Sequence, residues 1–118
     1  MPVHHLALRT PDPSALADFY ARALDLREIR RNVDDDGIRS VWLDLDGAIL
    51  MLERGRAGGS GAGWDGLFIQ AQAGSGQAWA DRWRSLDIVG DGSSAYSLYA
   101  VDPEGNRFGV SSFPRPLF

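Results

Sequence analysis

The chain has 118 residues, 44% hydrophobic and 24% charged; this suits one globular domain, residues 1–118, and excludes a disordered chain. Its net charge of −4 argues against a nucleic-acid surface, which needs a basic stripe. The absence of cysteine removes disulfides, thiolate metal sites and cysteine nucleophiles. No apolar run approaches the roughly 18 residues of a membrane span, and MPVHHLALRT has no signal-peptide pattern. The expected location is therefore cytoplasmic, with no membrane partner.

The elements are legible in chain order. VHHLALRT alternates, setting Leu6 and Leu8 on one face and His5, Ala7 and Arg9 on the other, as in a half-buried strand. Asp12 then caps a helix that has Pro13 at its first position. Leu16, Phe19, Tyr20 and Ala23 follow at helical spacing. REIRRNV, the acidic turn Asp34-Asp35-Asp36-Gly37 and SVWLDL predict a hairpin. Asp46-Gly47 marks a second tight turn, leading into AILMLE.

RGRAGGSGAGWDG has no apolar period and reads as a linker. After it the order restarts. GLFIQAQ predicts a strand, and GSGQAWADRWRSLDI a helix capped by Ser75. SAYSLYAV, the turn DPEG and NRFGVSS complete a second meander. The two helices are nearly the same text: ADFYARALDL aligns with ADRW-RSLDI through one gap. The whole βαβββ pattern is therefore duplicated. Module one spans 3–53, the linker 54–65 and module two 66–113.

Two βαβββ modules in a chain this short, opening on H-x-A-L-R and closing on D-P-E-G-N-R-F, resemble the vicinal oxygen chelate superfamily. That group includes glyoxalases, bleomycin-resistance proteins, fosfomycin-resistance enzymes and extradiol dioxygenases. The resemblance implies an α+β fold in which each module forms half a barrel, with a ligand cleft between them. It also implies a homodimer. One such fold hosts many chemistries, so activity must be argued from the site.

Faces can be assigned from the repeat. If Asp46-Gly47 is a two-residue turn, Leu45 pairs with Ala48, Leu43 with Leu50 and Trp42 with Met51, so Trp42 and Met51 share the cleft face. Setting GLFIQA beneath HLALRT puts Gly66, Phe68 and Gln70 at the places of His5, Ala7 and Arg9. Gly109 then matches Met51, and Ser111 matches Glu53. In metal-using relatives, the resemblance implies ligands on the first and last strands of each module. Here those positions are His5, Met51, Gly66 and Gly109. One imidazole and a thioether do not make a site for the hard or borderline metals such enzymes use, so no metal or other cofactor is expected.

The cleft residues expected to bind ligand are His5, Arg9, Trp42, Met51, Glu53, Phe68 and Gln70. Trp42, Met51 and Phe68 offer flat apolar surface. Arg9, by resemblance to the arginine of glyoxalase H-x-x-x-R strands, suits an anionic group; pairing with Glu53 is its alternative role. Trp79 and Trp83, four apart on the second helix, read as core. Trp64 in the linker is a candidate lid, and Leu117 and Phe118 of the tail are candidates to dock on a neighbouring subunit.

Three functions stay open. One is metal-free binding of an aromatic or amphipathic small molecule, in the manner of bleomycin-resistance proteins. The second is a lyase, isomerase or dioxygenase-type enzyme using His5 and Glu53 as general acid and base, or as a two-residue start of a metal site. The third is an interaction module whose cleft is vestigial.

Overall fold

The computed structural model describes residues 4–56, 68–71 and 75–118, the stretch 68–71 by its backbone. The chain divides into two units, Met1–Gly58 and Gly59–Phe118. The fold is α+β, and each unit has the predicted βαβββ order. In the first, β1 (His5–Thr10) is followed by α1 (Pro13–Ala23), β2 (Glu28–Asp34), β3 (Gly37–Asp44) and β4 (Ile49–Arg54). In the second, β5 (Phe68–Ala71) precedes α2 (Gly76–Ser85), β6 (Val89–Ser93), β7 (Ser97–Val101) and β8 (Arg107–Ser111). The sheets have equivalent strand orders, β1-β4-β3-β2 and β5-β8-β7-β6. The first strand of each runs parallel to the last.

Local chemistry accounts for the helix ends. Asp12 accepts from the Ala15 amide and Ser75 from the Ala78 amide, satisfying N–H groups with no partner inside the helix. The repeated Leu-Asp-aliphatic ending is a helix stop. Asp25 and Asp87 both take left-handed backbone, each at φ 56°, which Asp tolerates better than most residues. The next residues then bond back, Leu26 N–H to Ala21 O at 3.0 Å and Ile88 N–H to Trp83 O at 2.9 Å.

Helix and sheet build a core in each unit, with several matched positions buried in both. Leu16, Tyr20, Val41, Leu43, Leu50 and Leu52 are buried in the first, and Trp83, Ala100, Phe108 and Val110 in the second. Tyr20 and Trp83 are the matched aromatic anchors, and Trp83 meets Phe108 edge-on at 5.3 Å. Trp79, expected in the core, is only half-buried; it touches the edge of Trp83 at 6.3 Å. Leu6 and Leu8 lie in register with the core leucines Leu50 and Leu52. Even so, Leu6 keeps 39% of its surface exposed, because β1 is an edge strand.

The hairpin registers follow the turns. Leu45 N–H bonds Ala48 O at 2.8 Å, with Asp46 at φ 59° and Gly47 at φ 111°. Positive φ at both central residues is the geometry a two-residue hairpin demands. At the acidic turn, Arg54 binds Asp34 at 2.5 Å. That hydrogen bond and charge hold the Asp34 carboxyl below its usual range. The two apolar tail residues part ways, with Phe118 61% exposed and Leu117 turned inward. Leu117 is buried, and its carbonyl accepts from the Gly76 amide at 2.7 Å. The bare Gly76 Cα makes room for this: a Cβ there would meet Leu117 O at 2.7 Å and the Phe118 ring at 2.8 Å.

Candidate functional site

Each sheet has one face under its helix, and the candidate residues belong to the face turned away from it. In the first unit the register aligns Arg30, Trp42, Met51 and Ala7 across the four strands. One row further on it aligns Asn32, Ser40, Glu53 and Arg9. His5 lies in a third row beside Ile49. The predicted group of His5, Arg9, Trp42, Met51 and Glu53 thus shares one face.

That face is spread out, which decides what His5 and Glu53 can do. His5 is opposite Ile49, whereas Glu53 is opposite Arg9, and β1 pairs with β4 without a shift. Four residues along a strand separate them by about 13 Å. A general acid and base must each reach the reacting atoms within hydrogen-bonding distance. That spacing disfavours the pair both as acid and base on one bond and as two ligands of one metal. His5 instead meets His4, with the two Nδ1 atoms 2.9 Å apart and the rings edge-on. Arg9 and Glu53 face each other in register, yet no ion pair forms between them.

Trp42 is the centre of the face. Its ring is half-buried, and the Arg30 guanidinium lies 5.3 Å from the ring centroid. The indole N–H is covered and has no acceptor among the described residues. Arg30 Nε donates to Asn32 Oδ1 at 2.8 Å, and Asn32 Nδ2 donates to Ser40 Oγ at 2.8 Å. The sequence reading passed over Arg30, Asn32 and Ser40. Their signal was the period-two alternation of REIRRNV and IRSVW, which puts them on the Trp42 face once the hairpin register is known.

The second unit corrects the repeat alignment by one residue. Phe68 pairs with Phe108, Ile69 with Gly109, Gln70 with Val110 and Ala71 with Ser111. Phe108 is core, in contact with Trp83, so Phe68 and Gln70 occupy core-face positions rather than the cleft positions expected of them. On this register Ile69 matches Ala7, and the sequence equivalent of His5 is Leu67. Residues 66 and 67 lie outside the described residues, as does Trp64 with its expected lid role.

The face of this unit turned away from α2 is instead built on Tyr99, a residue the sequence reading also missed. Tyr99 pairs with Gly109, as Trp42 pairs with Met51. The turn DPEG is one residue longer than its counterpart, which hid the match. Arg107 lies over the Tyr99 ring at 4.3 Å and donates from Nε to Asp91 Oδ2 at 2.6 Å. Gly109 has no room for any side chain: a Cβ would stand 2.7 Å from Leu98 O and 2.9 Å from the Tyr99 ring.

The four positions that hold metal in the resembling enzymes therefore carry His5, Met51, a residue without donors (Gly66, or Leu67 on the observed register) and a glycine roofed by Tyr99. This donor set does not fit a divalent metal. Among the described residues no group of three or more His, Cys, Asp or Glu side chains could hold one. Surface grooves among the described residues lie elsewhere. One of about 510 Å³ lies between α1 and β2, where Arg31 is already paired with Glu28 at 2.7 Å. Another, about 360 Å³, lies between α2 and β6–β7.

The family model of the Glyoxalase/Bleomycin resistance protein/Dioxygenase superfamily matches residues 3–110. The chain belongs to this superfamily. Solved structures agree on the fold. An integron cassette protein from the mobile metagenome of V. cholerae superposes with TM-score 0.72 at 15% identity, covering 96% of this chain and 95% of that one. TioX from Micromonospora sp. ML1 gives 0.70 at 18% identity, covering 94% and 98%. The fosfomycin resistance protein FosX from Listeria monocytogenes, solved with Mn(II) and 1S,2S-dihydroxypropylphosphonic acid, gives 0.75 at 13% identity, covering 92% and 89%. A search of curated proteins gave no significant match. Among the described residues no helix is long and apolar enough to cross a membrane.

Proposed function

We propose that this superfamily member is a metal-independent binding protein that takes a planar small molecule on the face of its first unit turned away from α1. The observation that carries the reading is Trp42. A half-buried indole beside Met51 offers flat, polarizable surface, and its covered N–H lacks an acceptor. Met51 widens the apolar floor, Arg9 and Glu53 border it, and His5 stands at its far end. The ill-fitting donor set at the four metal positions favours binding over metal-dependent catalysis. The separation of His5 from Glu53 favours it over acid–base catalysis.

Trp42→Ala is expected to weaken planar ligands about tenfold or more. Its stability loss should stay well below the roughly 3–5 kcal/mol of a core aromatic. Calorimetric titration with a panel of bicyclic aromatics, alongside urea melts, measures both. A variant that binds as the parent does ends the proposal.

The assembly reading is a cytoplasmic homodimer, supported by resemblance to family members of this size. Light scattering at micromolar concentration should give twice the 12.9 kDa chain mass; the mass of a single chain refutes it.

A further inference from the structure

We propose that Arg30 is the anion-recognising residue of the Trp42 face, and that the ligand class is a planar aromatic carboxylate. The inference rests on the binding reading above and adds to it a charge and a fixed point of contact. Arg30 is exposed, yet it is held from two sides. The guanidinium carbon lies over the Trp42 ring, 5.3 Å from its centroid, and Asn32, itself anchored on the buried Ser40, holds its Nε edge. The ordering is therefore done before a ligand arrives, which lowers the cost of binding.

The anchoring partners are neutral, which separates Arg30 from the ion-paired arginines and from Arg9, which has neither ion pair nor side-chain anchor among the described residues. Arg22, Arg27, Arg31, Arg54 and Arg84 each pair with a carboxylate. The arginine–aromatic stack of the second unit, Arg107 of β8 over Tyr99, is bonded to Asp91. Arg30 makes no ion pair among the described residues, so its charge is not cancelled. Its terminal Nη groups remain as a planar fork with no partner among those residues. Such a fork matches the two oxygens of a carboxylate. A single charge is favoured over a dianion because Glu53 stands in the next row, beside Ser40. An aromatic acid can lie along Trp42 and Met51 with its carboxylate on Arg30.

The test compares 2-naphthoate with 2-naphthamide, which has the same shape without the charge, by calorimetry on the full chain. The parent should prefer the acid by about tenfold or more. Arg30→Gln should abolish that preference while keeping amide binding. Arg30→Lys should lose most of it, because an ammonium keeps the charge but not the fork. Asn32→Ala should reduce the preference by releasing the guanidinium, and Arg22→Gln, on the exposed side of α1, should leave it in place. Equal affinity for acid and amide in the parent, a preference that survives Arg30→Gln, or one that disappears only in Arg9→Gln overturns this assignment and leaves the Trp42 reading standing. If neither compound binds, both fall.

Discussion

Trp83→Ala is expected to cost the second unit about 3–5 kcal/mol, and Tyr20→Ala a similar amount in the first. Both side chains are essentially without solvent exposure, at 3% and 0%. Each lies where the helix meets the sheet, Trp83 against Phe108 and Tyr20 beside Leu16 on the buried stripe of α1. Truncation removes the transfer energy of the ring and leaves a cavity that a β-sheet cannot close up. Against a typical total stability of about 5–15 kcal/mol, either change should shift the urea midpoint far enough to populate unfolded chain at 37 °C. The same melt on Trp42→Ala is the internal control, since that indole lies on the face turned away from α1. Were Trp42→Ala as damaging as Trp83→Ala, the assignment of faces would be wrong.

Gly109→His should fail to build a metal site. It restores an imidazole at one of the four positions used by metal-binding relatives, but the new Cβ would fall 2.7 Å from Leu98 O and 2.9 Å from the Tyr99 ring. Tyr99 can turn away; the Leu98 carbonyl belongs to a strand paired to β8 through Leu98–Val110 and Tyr99–Gly109 and cannot move without breaking that ladder. Overpacking of this kind costs about 1–3 kcal/mol. Denaturant melts should show that loss, and metal analysis after dialysis against Zn or Mn should show no stoichiometric uptake. A folded variant holding one equivalent of metal would show that the site is only one ligand short.

The candidate site was half legible. Trp42 and Met51 could be placed together from sequence because Asp46-Gly47 allows only one hairpin register, and one register fixes every face along both strands. Phe68 and Gln70 could not. In LFIQA the apolar residues are consecutive, so the letters support either alternation, and only the strand pairing sets Phe68 in register with Phe108 and Gln70 with Val110. The DPEG turn, one residue longer than its counterpart, likewise masked Tyr99 as the partner of Trp42.

What the sequence determined by itself was the local and the repeated: the duplicated βαβββ order, the Asp12 and Ser75 caps, and the Leu-Asp helix stops. The first hairpin's register belongs with these. All are set by residues within a few positions of one another, where backbone geometry leaves few choices. What only the tertiary structure decided involves residues far apart in the chain. His5 and Glu53 share a face yet lie about 13 Å apart, since parallel pairing fixes their rows. Arg30 gains its meaning from Trp42, Asn32 and Ser40, brought beside it by the β2–β3 pairing. Gly109 is closed by a ring from the next strand. A charge left uncancelled, or a ligand position left without space, is a property of neighbours in space, and the order of letters does not carry it.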